Sequence, residues 1–243
     1  MRPSIASFAA ALSLAVGSLV PLHANTATGE GVRKLNFDVF LDDRAIGYHR
    51  FELAPSGAGT RMVTQADFAV KLLRITAFEY EHRNTEFWQD GCLQSIDART
   101  DSNGKKSTVN GRDRGSAFVL ATAQGERPLG DCVASFAYWD KQVLLRSQRL
   151  LNSQTGEYLP VRIAPLGSDR LRIGQRDITV KRYALKGQGI DITLAYAAEG
   201  DDWVALDSKL EGGRTLRYRR NAAELGSPAA GQTARAGAAG GSR

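Results

Sequence analysis

Few residues in this chain could do chemistry, and each can be weighed in turn. Cys92 and Cys132 are the only cysteines, and the three histidines are His23, His49 and His82, in 243 residues. A Cys92–Cys132 bond would close a loop of about 40 residues and stabilise by roughly 3–4 kcal/mol on chain-entropy grounds. Nothing around either cysteine suggests thiol chemistry, so a disulfide is expected, with two separate buried thiols as the alternative. His82 lies in Phe78-Glu79-Tyr80-Glu81-His82-Arg83. Strand alternation there puts Phe78, Tyr80 and His82 on one face and turns both glutamates away. Metal centres need three or four converging ligands, and His49 and His82 do not supply them. Both read as hydrogen-bonded strand histidines, and neither a metal nor a catalytic residue is expected.

Other catalytic signatures are missing from the sequence. There is no G-x-S-x-G turn for a serine nucleophile and no phosphate-binding glycine loop. Gly187-Gln188-Gly189 has two of the glycines without the third. Asp97, Asp101 and Asn103 hint at a cation loop, but no acid follows Gly104 at the EF-hand distance. Thr100 to Lys105 therefore reads as a polar hairpin tip, and no cofactor is expected.

The elements that would position these residues are mostly strands. Leu35, Phe37, Val39 and Leu41 recur with a period of two, and Asp42-Asp43-Arg44 makes a tight turn. Met62 to Leu73 and Ile75 to Trp88 are long β-rich stretches. Asp90-Gly91, Asn103-Gly104 and Asn110-Gly111 read as hairpin turns, since these residue types tolerate positive φ. Later strands are expected at Tyr158–Ala164, Arg170–Ile173, Ile178–Leu185, Ile190–Tyr196, Trp203–Leu210 and Thr215–Arg219. One segment differs. Between Ser135 and Leu151, the positions Trp139, Val143, Ser147 and Leu150 share one face of a helix. Ten to twelve strands of such length accumulate twist and curl. The expected fold is mainly β: a strongly curved antiparallel sheet, a half-barrel or open barrel, with one short helix. Its concave face would be incompletely covered, and Phe68, Phe78, Tyr80, Trp139 and Tyr196 are the candidate lining of the resulting cleft.

Charge and the termini bound the setting. Lys+Arg 32 against Asp+Glu 26 gives +6. The basic residues are scattered, often beside acids, which argues against nucleic acid as a partner. Arg2, an uncharged run from Ile5 to Val20 and the small residue Ala24 form the pattern of a secretory signal. Cleavage after Ala24 would remove Arg2 and leave +5. The run is short of a membrane span and no later stretch is apolar enough to make one, so no transmembrane segment is expected in the mature chain. The expected organisation is a signal peptide at 1–24, a flexible stretch at 25–31, one β domain at 32–220 and a disordered Ala/Gly/Ser-rich tail at 221–243. The expected location is the periplasm, with an extracellular site as the alternative.

Phe37-Asp38-Val39-Phe40-Leu41-Asp42-Asp43 with Ile46-Gly47-Tyr48-His49, and Ser135-Phe136-Ala137-Tyr138-Trp139 with Leu151 to Glu157, resemble a family of exported bacterial proteins. So do Asp191-Ile192, Tyr196, Trp203 to Leu206 and Leu216-Arg217-Tyr218. The family is domain of unknown function 6134, and the resemblance spans about residues 34–219. Its pattern is in turn similar to bent-sheet, lipoprotein-carrier-like proteins of the periplasm. The resemblance implies a curved sheet and an apolar ligand, and it carries over no catalytic residue. The expected function is binding or carrying a lipid-like apolar molecule. An enzyme or enzyme accessory acting on envelope lipids or glycans is one alternative, and a structural or protein-interaction module is another. The oligomeric state is left open.

Overall fold

The computed structural model describes residues 31–72, 75–223 and 225. The expected signal peptide, residues 25–30 and the tail from 226 lie outside the described residues. The first eight strands are β1 (Arg33–Leu41), β2 (Arg44–Ser56), β3 (Gly59–Leu72), β4 (Ile75–Gln89), β5 (Cys92–Ser102), β6 (Lys105–Asp113), β7 (Phe118–Thr122) and β8 (Gly125–Pro128). Helix α1 (Lys141–Arg146) follows. Then come β9 (Arg149–Leu151), β10 (Tyr158–Ile173), β11 (Arg176–Gly187), β12 (Ile190–Ala197), β13 (Trp203–Lys209) and β14 (Thr215–Arg220).

All fourteen strands form one antiparallel sheet in the order β8-β7-β6-β5-β4-β3-β2-β1-β14-β13-β12-β11-β10-β9. Each half is an up-and-down meander, and the halves join where β1 pairs with β14. The outermost strands β8 and β9 do not pair with each other, so the sheet is not closed into a barrel. It nevertheless curls until its ends meet. The loop after β9 reaches across to the opposite end, where Ser107 Oγ donates to the Gln154 carbonyl (2.7 Å) and Arg127 donates to the Gly156 carbonyl (2.6 Å). A flat sheet would hold these strands far apart, so accumulated twist accounts for the contacts.

The chain from β8 to α1 laces the seam. The Val133 carbonyl accepts from the Leu93 N–H of β5, and the Ala134 carbonyl accepts from the Leu151 N–H of β9, both at 2.8 Å. Cys132 is bonded to Cys92 at the start of β5, with Cα atoms 5.0 Å apart, so the expected disulfide is present. Period-two alternation points Leu35, Phe37 and Val39 inward with Phe51, Leu53, Leu120 and Leu206, all buried. A smaller apolar cluster holds Ile173, Val180, Ala195, Val204 and Ala205.

Three local expectations are corrected. The helix is six residues long. Asp140 caps it by accepting from the Val143 N–H, and the chain turns extended at Ser147. Leu150, expected on the helix, pairs with Leu159 as strand and is fully buried there. Asn110-Gly111 is no turn but the middle of β6, opposite Asp97 and Ile96. A Cβ at Gly111 would come within 2.4 Å of the buried Phe118 ring, so glycine here serves packing. Finally, β10 runs unbroken through Gly167, where an irregularity between Pro165 and Gly167 absorbs the expected break.

Candidate binding cavity

Register decides which side chains share the inner face. Cross-strand pairing lines up His49, Ala66, His82, Thr100 and Ser107 in one row over β2 to β6. The next row holds Phe51, Thr64, Asn84, Ala98 and Val109, and the row beyond it Leu53, Met62, Glu86 and Ile96. The interior thus carries a polar stripe within an apolar wall. This stripe borders a cavity of about 250 Å³ inside the curl. Opposite it lie Ile190, Ile192, Leu206 and Leu216. The seam segment adds Ser135, Tyr138 and Trp139, and the loop after β9 adds Asn152, Ser153 and Gln154. Among the described residues, no lysine or arginine lines the cavity.

Hydrogen bonds fix the polar stripe. The Thr64 hydroxyl donates to the Arg50 carbonyl (2.8 Å), so it accepts from His49 Nε2 at 2.7 Å. That places the His49 proton on Nε2 and leaves Nδ1 to accept from the Tyr218 hydroxyl at 3.4 Å. His82 Nδ1 lies 2.9 Å from the Thr100 hydroxyl and Nε2 3.4 Å from that of Ser153. Burial pushes His49 down to about 3, helped by the neighbouring His82, and pushes His82 down to about 4. Both imidazoles are therefore neutral at neutral pH.

Among the described residues, Glu86 is the one carboxyl in the wall, and it is 1% exposed. Its Oε1 accepts from Asn84 Nδ2 (2.8 Å), and its Oε2 accepts from Trp88 Nε1 (2.8 Å) and the Ser135 hydroxyl (3.1 Å). Burial raises its pKa, and the three donors pull it partly back. Sequence reasoning passed over Glu86 and Asn84. The signal that could have found them is their position: both share the parity of His82 in β4, at two-residue intervals.

The five aromatics expected to line a cleft are distributed differently. Trp139 lines the cavity, held by Arg33 donating to its carbonyl (2.9 Å) and by an edge-to-face contact with Trp88 at 5.6 Å. Phe68 and Tyr80 stack at 5.1 Å on the inner face, outside the cavity lining. Phe78 is 37% exposed. It sits where the β3–β4 ribbon overhangs its neighbours, because β2 pairing stops at Phe68 and β5 pairing starts at Tyr80. Tyr196 is 1% exposed and donates to the Tyr138 carbonyl at 2.9 Å, supporting the seam segment from behind. Among the described residues no group of three or more His, Cys, Asp or Glu could hold a metal ion. Among them also, no helix is long and apolar enough to cross a membrane.

A curled antiparallel sheet around an internal cavity defines a β-barrel-like domain. The crystal structure of a beta-barrel-like protein of domain of unknown function DUF1849 from Brucella abortus is similar to it, with a TM-score of 0.55. The likeness covers 77% of this chain and 94% of that one at 10% identity, and it speaks to fold alone. The family model for domain of unknown function DUF6134 matches residues 37–221, and the chain belongs to that family. A comparison with curated proteins finds no match.

Proposed function

We propose that this chain is an exported binding or carrier module that takes one lipid-like molecule inside its curled sheet. The observation that carries the reading is the cavity of about 250 Å³. Its wall is apolar on one side, with Ile190, Ile192 and Leu206, and on the other mixes Phe51 and Met62 with the polar Thr64, Asn84 and Glu86. Such a mixed wall suits an amphiphile, whose chain gains about 0.8 kcal/mol per buried CH₂ before the costs of binding. Both nitrogens of His49 and of His82 face hydroxyl partners within the wall, which favours binding over proton abstraction. The leader-like segment at 1–24 and the disulfide support a place in an oxidising compartment, the periplasm. The test is native mass spectrometry of protein purified from the periplasm, followed by solvent extraction. A stoichiometric amphiphile that dissociates on extraction is expected. Apo mass throughout, with no amphiphile rebinding to the extracted protein at micromolar concentration, would end the carrier reading.

A further inference from the structure

Strand β10 has an open outer edge. β9 pairs only with Tyr158, Leu159 and Pro160, and the Val161 N–H donates to the Gln148 carbonyl. Beyond Val161, among the described residues, no backbone hydrogen bond reaches that edge. The irregularity between Pro165 and Gly167 interrupts it, and residues 168–173 then run in regular register along β11. Arg170 shows which backbone groups look outward. Its N–H donates to the neighbouring Asp169 carboxylate (2.7 Å), so it points away from β11. Antiparallel alternation then turns the N–H and C=O of Ser168, Arg170 and Arg172 outward, while those of Asp169, Leu171 and Ile173 face β11.

The two faces of this edge differ. Ser168, Arg170 and Arg172 lie opposite Lys181, Thr179 and Asp177 on one face. Leu171 lies on the other, half-buried against the apolar cluster of Ile173 and Val180. The ribbon from Tyr158 to Gly187 holds seven lysines and arginines against two aspartates, which leaves +5 of the chain's +6. Both aspartates are engaged, Asp177 with Arg172 (3.1 Å) and Asp169 with Arg182 (2.9 Å). Arg170 is exposed and, among the described residues, in no ion pair. A second copy pairing here would set arginine against arginine, which opposes self-association. Unpaired backbone groups between a basic face and an apolar one suit a strand of matching pattern. We propose that the outer edge of β10 takes an extended segment of a partner protein as an added strand. Acidic residues at alternate positions of that segment face Arg170 and Arg172, and apolar residues between them face Leu171. This inference stands independently of the carrier reading.

The test uses the mature protein and two capped octapeptides of four glutamates and four valines, one alternating and one in two blocks. Binding is measured by calorimetric titration, and amide exchange by nuclear magnetic resonance. The alternating peptide is expected to bind roughly tenfold tighter than the block peptide and to slow exchange of the Ser168, Arg170 and Arg172 amides roughly tenfold or more. Arg170→Glu should weaken it roughly tenfold with an unchanged melting temperature. Lys105→Glu, the same charge change at the exposed start of β6, should leave the affinity unchanged. Equal affinity for the two peptides, or unprotected amides at those three positions, means general charge attraction and overturns the assignment. So does a dimer that Arg170→Glu dissociates, which gives the edge to a second copy. Binding to phosphatidylglycerol vesicles without peptide binding gives it to a lipid surface and overturns the assignment too, as does the absence of any binding. None of these outcomes bears on the amphiphile in the cavity.

Discussion

Removing the disulfide should cost the fold about 4 kcal/mol, and the loss should begin at the seam. Cys92 and Cys132 are 40 residues apart, so opening the bond returns about 13 cal/mol/K of loop entropy to the unfolded chain. At 25 °C that is about 3.9 kcal/mol. With a urea slope of about 2 kcal/mol/M for a domain of this size, the midpoint should fall by roughly 2 M in Cys92→Ala/Cys132→Ala. The position of the bond adds a local signature. Val133 and Ala134, directly after Cys132, accept from the Leu93 and Leu151 amides. Without the bond these two amides should exchange with solvent well before those of the β1–β14 pairing at the middle of the sheet. Urea unfolding by circular dichroism and native-state hydrogen exchange give the two readouts. A midpoint shift under roughly 0.5 M, or seam amides protected as well as those of β1, would refute the argument that this bond holds the curl shut.

Other perturbations have defined outcomes. The two histidines are titrated down from 6.5, to about 3 and about 4, so the unfolded chain binds more protons than the fold just below pH 6.5. Their stabilisation is complete above that value and is lost as pH falls toward about 4. Glu86, with its pKa raised, works the other way by up to one proton. The histidines alone give a loss of up to about 2.7 kcal/mol per pH unit, two protons, between about pH 6 and 5, and Glu86 reduces it; a net fall in stability is expected, measured by urea unfolding at stepped pH, and a rise there contradicts it. Glu86→Gln removes the buried carboxyl, and Asn84 can turn its amide to keep the hydrogen bond. Stability at pH 8 should hold or rise, and a fall beyond about 1 kcal/mol would show that the carboxylate form is needed. Gly47→Ala should cost roughly 3 kcal/mol or more by the same assay. Gly47 has φ +154°, and a Cβ there would lie 1.9 Å from the Asp67 carbonyl oxygen.

The strands were legible where local patterning and tertiary demand agree. Leu35, Phe37, Val39 and Leu41 alternate and are buried as a set, and Asp90-Gly91 and Asn103-Gly104 turn with positive φ. The Cys92–Cys132 pairing followed from there being only two cysteines. What failed was context. Leu150 fits a helical period, but β10 offers it a strand partner. Asn110-Gly111 has turn chemistry, yet the space its missing Cβ leaves is occupied by Phe118, seven residues on. Phe78 shares parity with His82 but lies beyond the rim. Local propensity does not encode where a neighbouring strand ends.

The parity of His82, Asn84 and Glu86 was open to view, but their assembly with Thr64 into one interior stripe was not, for a related reason. Thr64, His82, Asn84 and Glu86 are ordinary strand residues in sequence, and only the register of β2 to β5 stacks them into adjoining rows. Their energetics then argue for a purpose. A purely structural curl would be stabler with apolar residues at these positions, because a buried carboxyl without a cation and two histidines held neutral each lower the net gain from burial. The seam, the disulfide and the extensive aromatic packing around Phe37, Trp203 and Tyr218 offset that cost elsewhere. Most of the buried polar side chains, Thr64, His82, Asn84, Glu86, Thr100 and Ser135, lie at the cavity or in its adjoining rows, while Thr215 and Arg220 of β14 lie apart from them. The buried polar groups are densest where the curl closes on its cavity, the place at which the proposed ligand would sit.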